Sequence, residues 1–176
     1  NILITQSTQG QTMKRLFLTA VTASVLSSAF LISVPAAQAE EAAYKLGLLR
    51  HGESQWNLEK RFTGWSDIDL TDKGRAGAVK AGEIMKGAGV NFDEVHTSKL
   101  NRAIETAQLA QKGMSAQWVP LQKFWRLNER CYGDLEGKKR EDVAKEVGDD
   151  QVKIWRRSFD VPPPSLAVTD ARSPVK

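Results

Sequence analysis

Cysteine is nearly missing from this chain: Cys131 is the one thiol in 176 residues. A disulfide within the chain is therefore excluded, and so is a metal site built on cysteines. Histidine is scarce too, with His51 and His96 too far apart in sequence to share one metal-binding helix face. Charge of either sign is not in large surplus. The net charge is +4, and Lys14 and Arg15 are the only charged residues among the first 39, so residues 40–176 carry 23 basic and 21 acidic side chains. That balance argues against nucleic acid as a partner. Any useful positive potential is local and suits a small anion. The rest of the composition, 41% hydrophobic and 26% charged, is that of an ordinary globular protein with enough residues for one real core.

One long apolar run is present, and it stands apart. Residues 1–12 read as a polar upstream tail without pattern. Met13-Lys14-Arg15 gives a basic start, Leu16 to Val34 is apolar, and Ala37-Gln38-Ala39 is a small-x-small site before Glu40. This is the pattern of a secretory signal peptide over 13–39, cut after Ala39, with the domain in 40–176. An uncleaved anchor is the competing reading, since the 19 residues from Leu16 to Val34 are nearly long enough to span a bilayer. Either way the leader implies a periplasmic or secreted protein that meets a membrane only through that segment. A cytoplasmic location follows if the leader is not used.

The chain is organised around Leu48-Leu49-Arg50-His51-Gly52-Glu53-Ser54-Gln55-Trp56-Asn57. An apolar strand, Tyr44 to Leu49, turns abruptly polar at Arg50 and His51, and Gly52 permits a sharp turn. Chemistry gathers at the carboxyl ends of strands in α/β sheets. An imidazole there can act as nucleophile, and a guanidinium can hold a phosphate through two parallel hydrogen bonds.

Downstream, Glu59 to Asp69 reads as loop, in which Thr63 and Gly64 can offer a hydroxyl and an unobstructed N–H to an anion. Trp56, Phe62 and Trp65 read as packing residues. Thr71 is an N-cap for a helix reaching about Lys86, with Ala76, Val79 and Met85 on its apolar side. Val90 to Thr97 reads as a strand. A second helix follows from Leu100 to Gly113, with Arg102 in its first turn, where the helix dipole favours an anion. Gln117 to Pro120 reads as a third short strand. Two helices, Arg140 to Val147 and Asp150 to Phe159, come next, the latter carrying Trp155 inward and Arg156-Arg157 outward. The Pro162-Pro163-Pro164 run is extended. His96 is structural.

The run from Leu49 to Thr71 resembles the phosphohistidine signature of the histidine phosphatase superfamily, and its cofactor-dependent phosphoglycerate mutases in particular. Three further stretches are similar: Thr97 to Ala103, Trp125 to Gly137, and Arg156-Arg157 through Pro164. The resemblance implies an α/β fold with three layers, a mainly parallel sheet flanked by helices. It implies His51 as phosphoryl acceptor, Arg50 and Arg102 as countercharges, and Glu129 as general acid/base. Ser54, Asn57, Thr63, Gly64, Arg130, Tyr132, Arg140, Arg156 and Arg157 fall on its substrate-binding positions. Arg140 stands where a lysine is usual, and Cys131 where histidine is common. The implied reaction interconverts 3-phosphoglycerate and 2-phosphoglycerate, primed by 2,3-bisphosphoglycerate, with no metal. The partners are small phosphoglycerates, and self-association stays open. A periplasmic histidine phosphatase and a non-catalytic phosphate-ester binding protein are the alternatives. The resemblance ends near residue 170, before the family's second catalytic histidine. The chain therefore reads as a fragment, incomplete at the C-terminal side of the sheet and weak in activity as it stands.

Overall fold

The computed structural model describes residues 2–7 and 44–172; for residues 3–7 and Tyr44 it describes the backbone alone. The signal-peptide reading of 13–39 lies outside the described residues. One sheet holds four strands: β1 (Ile2–Ser7), β2 (Tyr44–Leu49), β3 (Glu94–Thr97) and β4 (Leu121–Lys123), in the order β2-β1-β3-β4. β1 is antiparallel to both β2 and β3, and β3 is parallel to β4. Three strands thus share one direction and β1 opposes them, so the chain is α/β with a mainly parallel sheet, as expected. The helices are α1 (Gln55–Leu58), α2 (Asp72–Gly87), α3 (Asn101–Met114), α4 (Arg140–Val147) and α5 (Asp149–Arg157). Among the described residues, no helix is long and apolar enough to cross a membrane.

The first correction concerns residues 2–7. They were expected to be a patternless tail, yet they form β1. The aliphatic start Ile2-Leu3-Ile4, with two β-branched isoleucines, has strand propensity, and a ladder on both sides satisfies its backbone. The register matters for the site. Ile2 pairs with Leu49 on one side and Thr97 on the other, so β2 and β3 end level with each other. The segments that follow, Arg50-His51 and Ser98 to Arg102, therefore leave the sheet at one edge.

A second correction is β4. The strand expected at Gln117 to Pro120 begins only at Leu121, because Pro120 has no N–H for the ladder and contributes its carbonyl to Val95 N instead (2.9 Å). The third is the buried face of α2. Ala76 is exposed; Gly74, Ala78 and Gly82, one turn apart, face inward. A Cβ on Gly82 would lie 2.1 Å from Ala110 O, and one on Gly113 2.2 Å from Val79 O, so α2 and α3 meet backbone to backbone.

Two apolar clusters result. Ile2, Val95, Ala107 and Val119 fill the sheet side. Phe62, Tyr132, Leu135, Val143 and Val152 form a second cluster with Trp155 against it, and the Phe62 and Tyr132 rings stand 5.1 Å apart. His96 lies 3.3 Å from Glu94 and stacks on Phe124, which agrees with its structural reading.

Candidate active site

The turn after β2 is held from two sides, by α3 and by the start of α2. Gly52 N donates to Thr106 Oγ1 (3.0 Å), and that hydroxyl donates to Arg102 O (2.6 Å). Thr71 N, at the start of α2, donates to Glu53 O (2.9 Å). The turn and α2 approach so closely that a Cβ on Gly52 would sit 2.5 Å from Gly74 O, and one on Gly74 2.2 Å from Glu53 O. Only glycines allow that approach.

His51 is fixed inside this turn. Its Nδ1 lies 2.7 Å from Gly52 O. A carbonyl has no proton to give, so Nδ1 carries the hydrogen and Nε2 keeps its lone pair. Burial lowers the imidazole from its ordinary 6.5 to about 4, assisted by the Arg102 and Arg50 charges and opposed by the Gly52 carbonyl. The ring is therefore neutral at pH 7, as a nucleophile must be.

His51 opens on a cavity of about 280 Å³. Five guanidiniums line it, those of Arg50, Arg102, Arg130, Arg156 and Arg157, against one carboxylate, Glu129. Asn57 and Tyr132 complete the wall named by the sequence, and Ser98 and Leu100 add to it. Arg102 is fully buried. Its Nη1 donates to Ser66 O (2.9 Å), and its Nη2 donates to Gly64 O (2.8 Å) and to Glu129 Oε2 (3.0 Å). Its Nε, also buried, has no hydrogen-bond partner among the described residues. A buried donor left unpaired costs about 1–3 kcal/mol, and more on a charged group, a deficit that an arriving anion can remove.

The remaining expected residues take other places. Ser54 is wholly buried as the N-cap of α1, exchanging hydrogen bonds with Asn57. Thr63 and Gly64 lie behind the cavity wall, where Gly64 serves Arg102 through its carbonyl. Arg130 donates Nη1 to Trp155 O (2.9 Å) and Nη2 to Ser158 O, and so ties down the end of α5 that carries Arg156 and Arg157. Arg140 donates to Lys60 O (3.1 Å) and borders the neighbouring cleft, which shares Arg156 with the main cavity. Burial pulls the Arg140 guanidinium below its usual range, and the Arg156 charge adds to this. Burial and the Glu129 charge raise the Tyr132 phenol, which keeps it a hydrogen-bond donor.

Two residues with clear roles were missed from the sequence. Thr106 was detectable, since it lies one helical turn from Arg102 on the same face of α3. Glu136, a buried carboxylate gathering loop amides, gave no periodic or compositional signal. Among the described residues, no cluster of histidine, cysteine and carboxylates is arranged to hold a metal ion.

The family described as histidine phosphatase superfamily (branch 1) matches residues 46–173. A Bacteroides fragilis protein named 2,3-bisphosphoglycerate-dependent phosphoglycerate mutase is 53% identical over 130 residues, covering 74% of this chain and 52% of that protein. A solved phosphoglycerate mutase from Bacillus anthracis aligns with TM-score 0.51 and 31% identity, over 60% of this chain and 48% of the other. A solved phosphoserine phosphatase from Entamoeba histolytica, in complex with 3-phosphoglyceric acid, aligns with TM-score 0.52 and 32% identity, over 66% and 53%. This chain spans about half the length of the curated relatives it matches.

Proposed function

The chain belongs to the histidine phosphatase superfamily, and from that footing we propose that it interconverts 3-phosphoglycerate and 2-phosphoglycerate through a phosphorylated His51. The observation that carries this reading is a neutral imidazole with a free Nε2 facing five guanidiniums and one carboxylate. The 53% identity to a named mutase supports the substrate class. Bound 2,3-bisphosphoglycerate would supply the first phosphoryl group. The fit is good on this chain's own terms: among the described residues, Arg102 Nε is a buried donor without a hydrogen-bond partner, in a wall of guanidiniums.

The residues divide the work. His51 Nε2 gives its lone pair to phosphorus as the bond from phosphorus to the ester oxygen breaks. Arg50 and Arg102 hold the equatorial oxygens and carry the countercharge, so positioning and electrostatics supply most of the rate. Glu129, anchored through Arg102, gives a proton to the departing oxygen and takes one from the hydroxyl that attacks on the return. Arg156 and Arg157, held by the Arg130 strut, suit the carboxylate end of the substrate.

A second reading has support from the solved phosphatase neighbour. In that reading water, in place of a second phosphoglycerate, takes the phosphoryl group from His51. One experiment tests both. The protein expressed from its whole reading frame is incubated with 3-phosphoglycerate and labelled 2,3-bisphosphoglycerate, and acid-labile label on protein, 2-phosphoglycerate and free phosphate are measured together. Label on His51 that is lost in His51→Asn supports the common chemistry. Excess 2-phosphoglycerate then supports the mutase, excess phosphate supports the phosphatase, and absence of label refutes both.

A further inference from the structure

Glu136 is a buried carboxylate, 5% exposed, that forms no ion pair among the described residues. Its oxygens are nonetheless filled. Oε1 accepts from Trp65 N (3.0 Å), from Tyr132 N (3.0 Å) and from Cys131 Sγ (3.5 Å). Oε2 accepts from Ser66 N (3.1 Å) and Ser66 Oγ (2.8 Å). A buried charge satisfied only by neutral donors needs a countercharge within reach.

That countercharge is one peptide group away. Trp65 N–H and Gly64 C=O belong to the same planar, trans peptide unit and point in opposite directions. The N–H ends on Glu136 and the C=O ends on Arg102 Nη2. The peptide dipole thus lies aligned between an anion and a cation, and Ser66 O adds a second carbonyl to the same guanidinium. Gly64 sits at φ +56° in the left-handed region, and a Cβ there would fall 2.2 Å from Glu136 Oε1. The loop is built to pass between these two side chains.

We infer that Glu136 is a positioning residue that acts through the Gly64–Trp65 peptide to orient Arg102, and with it Glu129, at the anion pocket. It touches neither of them. The inference deepens the reading above, because it takes the pocket as an anion site, but it stands independently of which ester is used. Replacing the carboxylate by an amide puts an N–H₂ donor against loop amides that are themselves donors. The 64–66 loop then turns, its carbonyls leave Arg102, and the guanidinium relaxes.

The test uses Glu136→Gln, which keeps volume and packing, and reads the buried Arg102 Nε–H resonance in nitrogen-correlated spectra of the ligand-free chain. The expected result is a displaced or broadened Arg102 Nε–H in the variant, together with the amides of Trp65 and Ser66. Inorganic phosphate, titrated by calorimetry, should bind about tenfold more weakly. In a cycle with Arg102→Gln the double variant should bind no worse than Arg102→Gln alone, since both changes remove the same interaction. A merely structural glutamate would lower thermal stability and shift the loop amides while leaving Arg102 Nε–H in place. That outcome, or phosphate losses that add, overturns the inference. If Glu136→Gln does not fold, Ser66→Ala and Ser66→Gly remove a single arm of the same cradle and must move the same Arg102 signal. Failure of the proposed function would appear elsewhere, as missing label on His51 or as free phosphate in excess of 2-phosphoglycerate.

Discussion

The sharpest prediction concerns the protonation of His51. Burial and two neighbouring guanidiniums lower its titration from 6.5 to about 4. Holding the imidazole that far below its ordinary value corresponds to about 3 kcal/mol between the two protonation states. At pH 7 this gains little, because an ordinary imidazole is already about three-quarters neutral. At pH 5 the contrast is large. About 90% of such a buried imidazole would still be neutral, against about 3% of an ordinary one, so nucleophile concentration differs about thirty-fold. Phosphorylation of His51 should therefore stay flat from pH 8 to pH 5 and fall only as the pH approaches 4.

Long-range proton–nitrogen spectra can follow this directly, since the chain has two histidines and His51→Asn assigns them. The expected spectrum shows the Nδ1–H tautomer above the midpoint, set by Gly52 O at 2.7 Å. Stability should follow the same titration. The folded value is depressed below the unfolded one, so the unfolded chain takes the proton first as pH falls through 6.5. The contribution is complete above pH 6.5 and is lost between there and pH 4, by about 3 kcal/mol at most. His51→Asn should remove that slope. A midpoint near 6.5, or the opposite tautomer, would refute the burial argument and the assignment of Nε2 as the attacking atom.

Three other predictions follow from contacts. Gly64→Ala meets both a left-handed φ of +56° and a Cβ contact of 2.2 Å with Glu136 Oε1, so denaturant unfolding should show a loss of about 2–4 kcal/mol. Gly82→Ala should cost about 1–3 kcal/mol through its 2.1 Å clash with Ala110 O, while Gly77→Ala on the same helix meets nothing within 4 Å and should stabilise by up to about 1 kcal/mol; equal effects in thermal melts would sink the close-packing account. Arg130→Met releases the end of α5, so calorimetry should show 3-phosphoglycerate affinity falling about tenfold, which is about 1.4 kcal/mol, with inorganic phosphate affinity changed much less. Equal losses for both ligands would mean that Arg130 holds phosphate itself.

Much of this site was legible because it sits where sequence signals are strong. His51 and Arg50 mark the sharp polar break after an apolar strand, and β2 runs from Tyr44 to Leu49 as expected. Thr71 caps α2, and α4 spans Arg140 to Val147, because capping chemistry and helical spacing are local. What stayed hidden depends on packing at a distance. The buried stripe of α2 is glycine and alanine, which carry almost no hydropathy signal. β1 is one short aliphatic run whose role is fixed only by strands lying far along the chain. Arg130 looked like one more ligand in a basic motif, and only the carbonyls of Trp155 and Ser158 mark it as a strut.

The same distinction explains how a pocket with so much positive charge holds its shape. Five guanidiniums around one small cavity repel each other, and one carboxylate cannot balance them. Arg102 and Arg130 are each fixed by two backbone carbonyls, which orient a guanidinium without neutralising it. The charge therefore stays available to a ligand while the geometry is already set, which is the condition for electrostatic stabilisation that needs no reorganisation. Among the described residues, Glu129 alone pairs with one of these guanidiniums, through Arg102 Nη2. An anion bound at Arg102 would share that guanidinium with Glu129, so on the proposed function filling the pocket and placing the proton donor would be one event.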